Sequence, residues 1–225
     1  MYVAPVTREA YPTKEHLGEE VVTVLREELR DLVAEGADFV QVDEPVLTEV
    51  VFTQGRTRTF MCASLAARKD PAEELEFAVS LINRIVEGVE GIRIGLHICR
   101  GNWSQNQATL LRGSYHPLAA YFTRLNVDQL VLEYPTERAG GSIAFDGKEL
   151  GLGVINPRTE RIESPDEIAR AVEKALPLYP AGRLWLNPDC GFGTFSNRPV
   201  NTAQVVAKKL AAIVAAAQLL RGMAA

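Results

Sequence analysis

Ile92-Arg93-Ile94-Gly95-Leu96-His97-Ile98-Cys99 lies between two helical patterns and reads as one strand of a parallel sheet. Side chains along a strand alternate with a period of two, so His97 and Cys99 share a face. Upstream, Pro71 to Val86 has helical spacing, with Pro71 suited to a first helical turn. Before it, Phe39–Asp43 (FVQVD) is a short strand that stops at Glu44–Pro45. Lys14 to Glu35 sets Leu17, Val21, Val24, Leu25, Leu29, Leu32 and Val33 at helical spacing, and Gly36 is placed to cap that helix. Val3–Thr7 reads as a further strand.

Downstream the alternation continues. Pro117–Leu125 reads as a helix, Leu130–Glu133 as a strand and Gly151–Ile155 as the next. Ser164-Pro165-Asp166-Glu167 is a helix start, with Ser as N-cap, Pro at the first position and Glu closing a capping box. That helix is expected to reach about Leu178, followed by a strand at Leu184–Leu186 and a last helix over roughly Thr202 to Leu220. Strands alternating with helices of this length predict an α/β fold, a TIM-type (βα) barrel. The strands number six, whereas a closed barrel of this type has eight. The expectation is therefore one domain over residues 1–225, truncated at its N-terminus and lacking the first two βα units. Such a sheet would have unpaired edges and exposed apolar inner faces, and self-association would cover them.

Composition narrows the function. Of 225 residues, 47% are hydrophobic and 24% charged, enough for one large domain with a substantial core. The net charge of −5, with scattered Lys and Arg, argues against a nucleic-acid surface, which needs a concentrated basic face. No apolar run approaches the roughly 20 residues that span a bilayer, and Leu210 to Leu220 is mostly alanine and reads as too short. The N-terminus shows no export leader. Three cysteines are too few and odd in number for a disulfide framework, so a cytoplasmic protein with free thiols or metal ligands is expected.

The polar residues of interest cluster at the C-terminal ends of the strands, the rim where a parallel barrel builds its active site. Asp43, Glu44 and Glu49 end or follow FVQVD, and His97 and Cys99 end IRIGLHIC. Glu133 ends LVLE, Asn156 and Arg158 follow GLGVI, and Asp189 and Cys190 end LWLNPD. Imidazole and thiolate at i and i+2 can share one zinc ion, and Cys190 and Glu133 offer further ligands from two other strands. Glu133 has an alternative role in an ion pair with Arg100 or Arg138. Cys62 sits in an apolar context and reads as a small buried hydrophobe. Trp103 could close over the site or merely pack. His16 and His116 fall on or beside helices as surface residues, and Gly140-Gly141 reads as a flexible loop.

His97-x-Cys99, Glu133 and Asn187-Pro-Asp-Cys190-Gly together resemble the zinc site of cobalamin-independent methionine synthase, in its C-terminal catalytic barrel. Gln41-Val-Asp43-Glu44-Pro45 is similar to that family's Q-[IV]-D-E-P segment. The resemblance covers nearly the whole chain, with the motifs in the family's order. It implies a TIM barrel binding one zinc through His97, Cys99, Glu133 and Cys190. It also implies that Asp43 holds the amino group of homocysteine and that Glu49 contacts the methyl-folate donor, 5-methyltetrahydropteroyltri-L-glutamate.

The chain departs from the family where Gly153-Val-Ile-Asn156-Pro-Arg158 places an arginine at or near the family's proton-donating histidine. Arginine stays protonated and cannot act as a general acid near neutral pH. Cys99-Arg-Gly-Asn102-Trp103 and Asn156-Pro-Arg-Thr159 resemble instead the shorter, single-barrel relatives, which include enzymes with other methyl donors and coenzyme M transferases that open epoxides. Arg158, with Asn156 beside it, could bind a substrate carboxylate, phosphate or sulfonate, or else pair with Glu160 or Glu163. The expected activity is transfer of a methyl or alkyl group to a small thiol, homocysteine being favoured by Asp43. The alternatives are transfer to another thiol such as coenzyme M, or a zinc-binding barrel remnant without catalysis.

Overall fold

The first strand begins where a helix is firmly stopped, and the local chemistry shows why. A computed structural model of the chain describes residues 10–52, 70–102, 104–106, 110–134, 143–193, 197 and 199–223. Helix α1 (Lys14–Ala34) starts at Thr13, whose side chain accepts the His16 N–H, and ends before Gly36, which adopts φ 84°. The Gly36 and Ala37 N–H groups bond back to Val33 and Leu32, the αL arrangement that glycine makes inexpensive. The chain is thereby turned into β1 (Phe39–Glu44). A short helix that the sequence reading missed, α2 (Val46–Phe52), follows at once; the Glu44 carboxylate caps it by accepting the Val46 and Leu47 N–H groups.

Helix α3 (Pro71–Val86) has Asp70 as N-cap and leads to β2 (Arg93–Ile98). The helix expected over Pro117–Leu125 is reduced to a 3-10 turn, His116–Leu118, and one α-helical turn, α4 (Ala119–Phe122). The apolar spacing there serves to bury Leu118, Phe122 and Leu125 while the chain turns into β3 (Gln129–Leu132). Strand β4 (Glu149–Ile155) is followed by α5 (Pro165–Ala175), which carries the Ser164–Glu167 capping box that the sequence predicts. The Ser164 N–H and then Arg161 hold the Glu167 carboxyl down to about 2. Strand β5 (Leu184–Pro188) and α6 (Ala203–Met223) complete the described residues.

All neighbouring strands pair in parallel, in the order β1-β2-β3-β4-β5. Sequential parallel strands with helices between them form the wall of a TIM-type (βα) barrel. Five of the six expected strands are seen; Val3–Thr7 lies outside the described residues, as do Cys62, Trp103, Arg138 and Gly140–Gly141. The apolar core lies between sheet and helices. There Leu96, Ile98, Leu130, Leu132, Leu150 and Leu152 are buried against Val79, Ile82, Phe122, Ile168 and Val172.

The inner face differs from the apolar surface expected of an open barrel. Gln41, Arg93, Gln129 and Asn187 line a cavity of about 430 Å³ with Phe39, Val131 and Trp185. Arg93 pairs with Glu149 at 3.6 Å and stacks over Trp185, and Gln129 donates to Glu149. Large exposed apolar side chains on this face are confined to Phe39 and Trp185, on the two outermost described strands. A polar inner face tolerates water, so the sheet does not depend on dry closure for its main core.

The last helix also differs from its reading. Residues Ala203–Gly222 form a stretch of mean hydropathy 1.5 that is long and apolar enough, by length and composition, to cross a membrane. The apolar turns from Ala203 onward extend the Leu210–Leu220 stretch to that length. Lys209 nonetheless lies fully buried in its middle, bonded to Glu163.

Glycines on β4 let neighbouring strands approach. A Cβ at Gly153 would collide with Asp189 Oδ1 and come within 2.7 Å of the Leu132 carbonyl oxygen. Gly153→Ala is therefore expected to cost about 1–3 kcal/mol, as overpacking does, and to push Asp189 and the adjacent Cys190 outward. A thermal melt and a zinc titration check this. Unchanged values in both would show that β4 and β5 can separate freely.

Candidate metal centre

Three strand ends converge on one point. His97 and Cys99 come from the end of β2, Glu133 immediately follows β3, and Cys190 lies two residues beyond β5. Their ligand atoms all lie within 4.8 Å of one another, and the two sulfurs are 3.9 Å apart. His97 Nδ1 is 3.2 Å from the Val131 carbonyl. A carbonyl can only accept, so Nδ1 carries the proton and the Nε2 lone pair is left for a ligand. That Nε2 is buried and has no hydrogen-bond partner. An orphaned imidazole nitrogen facing two thiols and a carboxylate fits zinc in residue type, number and reach.

The surroundings orient the ligands. The Arg100 N–H donates to Glu133 Oε1 at 2.9 Å, and the Asn102 amide donates to Oε2. The guanidinium of Arg100, considered from the sequence as a partner for Glu133, donates instead to the Leu111 and Gly113 carbonyls. The same Asn102 amide reaches Asp189 Oδ2 at 3.5 Å, and Asp189 Oδ1 accepts the Tyr134 N–H. Thr48 donates its hydroxyl to the Cys99 carbonyl. From the sequence Asp189 is placed on the rim without a specific role, and Asn102, Tyr115 and Thr48 are given none. Asn102 and Asp189 sit within the quoted motifs, which was the available signal; Tyr115 and Thr48 carried none.

Acidic groups crowd the pocket. Burial, and then the neighbouring Cys99, pushes the Glu133 carboxyl well above its usual range. Burial, and then Glu133, does the same to Asp189. The contact with Cys190, and then burial, raises the Cys99 thiol. Burial disfavours the charged His97, but Cys99 and Asp43 outweigh it and the net shift is upward. The acids Glu133, Asp189 and Cys99 thus suppress one another's ionisation, while His97 is drawn toward its cation by the same acidic surroundings; a divalent cation would let the acids ionise and would take the place of the imidazole proton.

The remaining residues predicted for the site divide. Asp43 lies opposite His97 in the β1–β2 register, is exposed, and accepts a hydrogen bond from Gln41 at 2.9 Å. Glu49 is buried on α2, outside the ligand cluster. Asn156 accepts the Arg158 N–H through Oδ1, and the buried Arg158 donates Nε to the Ser104 carbonyl. Glu163, one of the acids considered for Arg158, bonds to Lys209 at 2.9 Å. His16 and His116 are exposed on α1 and the 3-10 turn, as expected.

Comparison with known proteins places this geometry. Residues 3–219 match the family model described as the cobalamin-independent synthase catalytic domain. The methionine synthase of Pyrococcus abyssi is 31% identical over 217 residues, covering 95% of this chain and 52% of the relative. That of Thermococcus kodakarensis is 32% identical over 194 residues, covering 84% and 47%. Among solved structures, a B12-independent methionine synthase from Shewanella sp. W3-18-1 in complex with selenomethionine superposes with a TM-score of 0.75 at 25% identity. That match covers 95% of this chain and 57% of the other. The chain spans about half the length of the curated relatives it matches. With 217 aligned residues, the shared catalytic-domain model and a common fold, this chain belongs to the cobalamin-independent methionine synthase family.

Proposed function

We propose that the chain binds one zinc ion through His97, Cys99, Glu133 and Cys190 and transfers a methyl group to the thiol of homocysteine. The observation that carries this is the cluster itself: two thiols, a carboxylate and an unpartnered imidazole nitrogen within 4.8 Å. Zinc held by two cysteinates keeps a substrate sulfur as an electron-rich thiolate, whereas free alkyl thiols, with pKa near about 8.5, are mostly protonated at neutral pH.

The chain's own residues supply the rest. Arg100 and Asn102 hold the Glu133 carboxylate from two sides and would keep it aimed at a bound zinc, which would supply the charge that holds a substrate thiol as thiolate. Asp43, exposed beside His97, offers a charge to the substrate ammonium. The thiolate sulfur attacks the methyl carbon of the donor, and the donor leaves with the bonding electron pair. Arg158 stays protonated, so it supplies positive charge to an anionic donor rather than a proton. The edges of β1 and β5, unpaired among the described residues, favour completion of the barrel by further strands, from a longer product or a second copy.

Asp43→Asn tests the acceptor. Homocysteine affinity is expected to fall roughly tenfold or more, as loss of a charge-assisted hydrogen bond of about 1.5–3 kcal/mol implies. A thiol of similar size lacking the amine should be unaffected. X-ray absorption at the zinc edge should add a sulfur neighbour near roughly 2.3 Å when homocysteine is supplied. Equal weakening of both thiols would favour another acceptor, such as coenzyme M, and no sulfur addition would favour a binding module without catalysis.

A further inference from the structure

We propose that Tyr115 is a positioning residue for the metal centre, its buried hydroxyl setting the separation of the strand ends that carry Cys99 and Glu133. This rests on the zinc reading above. Pairing between β2 and β3 runs through Gly95 with Gln129, Leu96 with Leu130 and His97 with Val131, and stops there although both strands continue. At the next level the Tyr115 hydroxyl accepts the Glu133 N–H at 3.1 Å and donates to the Ile98 carbonyl at 3.1 Å. One side-chain oxygen thus replaces a direct rung. Two hydrogen bonds in series span more distance than the single N–H···O=C bond of about 2.9 Å that would otherwise close the gap. Cys99 and Glu133 project from immediately beside this bridge.

The oxygen is itself fixed. Tyr115 is 0% exposed. Its ring meets those of Phe122 and Tyr134 at 6.0 and 5.8 Å, and the Arg100 guanidinium covers it at 4.9 Å. The Glu133 carboxylate has its own partners in Arg100 and Asn102, so the hydroxyl acts on the backbone of residue 133 rather than on its charge. Ligands held by packed supporting residues bind metal at the geometry those residues impose.

The same fold contains a matched control. The Tyr179 hydroxyl accepts the Phe145 N–H at 3.0 Å and donates to the Ile143 carbonyl at 2.8 Å. That bridge ties two residues of one segment before β4 to each other, rather than joining two ligand-bearing strand ends.

Tyr115→Phe and Tyr179→Phe in the whole chain provide the test. Zinc affinity is read by competition with a chromophoric chelator, and site geometry by the visible absorption of the cobalt(II)-loaded protein. Both variants are expected to melt earlier without metal. Tyr115→Phe alone should bind zinc about tenfold more weakly and shift the cobalt bands. If Tyr115→Phe folds only with trimethylamine oxide present, all three proteins are compared in that osmolyte. Wild-type affinity and cobalt bands in Tyr115→Phe, or equal weakening in both variants, would overturn the proposal alone. A wild-type chain that takes up no zinc would overturn the zinc reading and this proposal with it.

Discussion

Replacing Cys99 or Cys190 with serine is expected to strip the protein of zinc, the largest functional effect of any single substitution here. Each sulfur is one of four ligand atoms within 4.8 Å, and a serine hydroxyl remains protonated where a thiol would be deprotonated by the metal. Loss of supporting partners alone typically costs roughly 10–100-fold in affinity, so loss of a ligand should exceed about a hundredfold. Cys62→Ser should keep the metal. Zinc content after dialysis, measured on all three variants, decides the matter, and equal contents would remove the site. The affinity should also rise with pH. The Cys99 thiol is held protonated in the metal-free protein, so zinc must displace its proton, and a lower proton activity favours binding. A zinc titration repeated at several pH values reads that slope.

Lys209→Met should produce the largest loss of stability. Lys209 is fully buried, donates to the Arg161 carbonyl and pairs with Glu163 at 2.9 Å. Removing one partner of a buried pair leaves the other charge uncompensated, at a cost of about 3–5 kcal/mol. For a chain of this size that lowers Tm by roughly 10 °C. Glu163 also accepts the Asn156 N–H, so the turn carrying Arg158 should loosen as well. Zinc binding should persist, because the ligands come from β2, β3 and β5. The double variant Lys209→Met, Glu163→Gln should recover part of the loss, since the stranded charge is gone. Thermal and denaturant unfolding give the answer, and a loss below about 1 kcal/mol would show that water reaches Glu163.

Local chemistry is legible in the residues themselves. Gly36 ends α1, Pro71 begins α3, and Ser164 with Glu167 opens α5, because caps depend on neighbours within a turn. The β2 strand and the shared face of His97 and Cys99 follow from its period of two. Even the alternation that implies a parallel barrel is a pattern along the chain.

What is written on no single segment is how distant segments meet. That Glu163 bonds to Lys209 rather than Arg158 depends on where α6 packs, 46 residues away in sequence. The inner face is polar because Arg93, Gln129 and Glu149 from three strands satisfy one another, and only the register reveals that. The Pro117–Leu125 spacing is helical, yet burial of Leu118, Phe122 and Leu125 is complete after little more than one turn, and packing overrides the pattern. The residue types at positions 97, 99, 133 and 190 make zinc chemistry conceivable from sequence. Bringing their ligand atoms within 4.8 Å, with Tyr115 between the strand ends, is the work of tertiary structure, because side-chain distance across a barrel rim is set by strand separation and not by spacing along the chain.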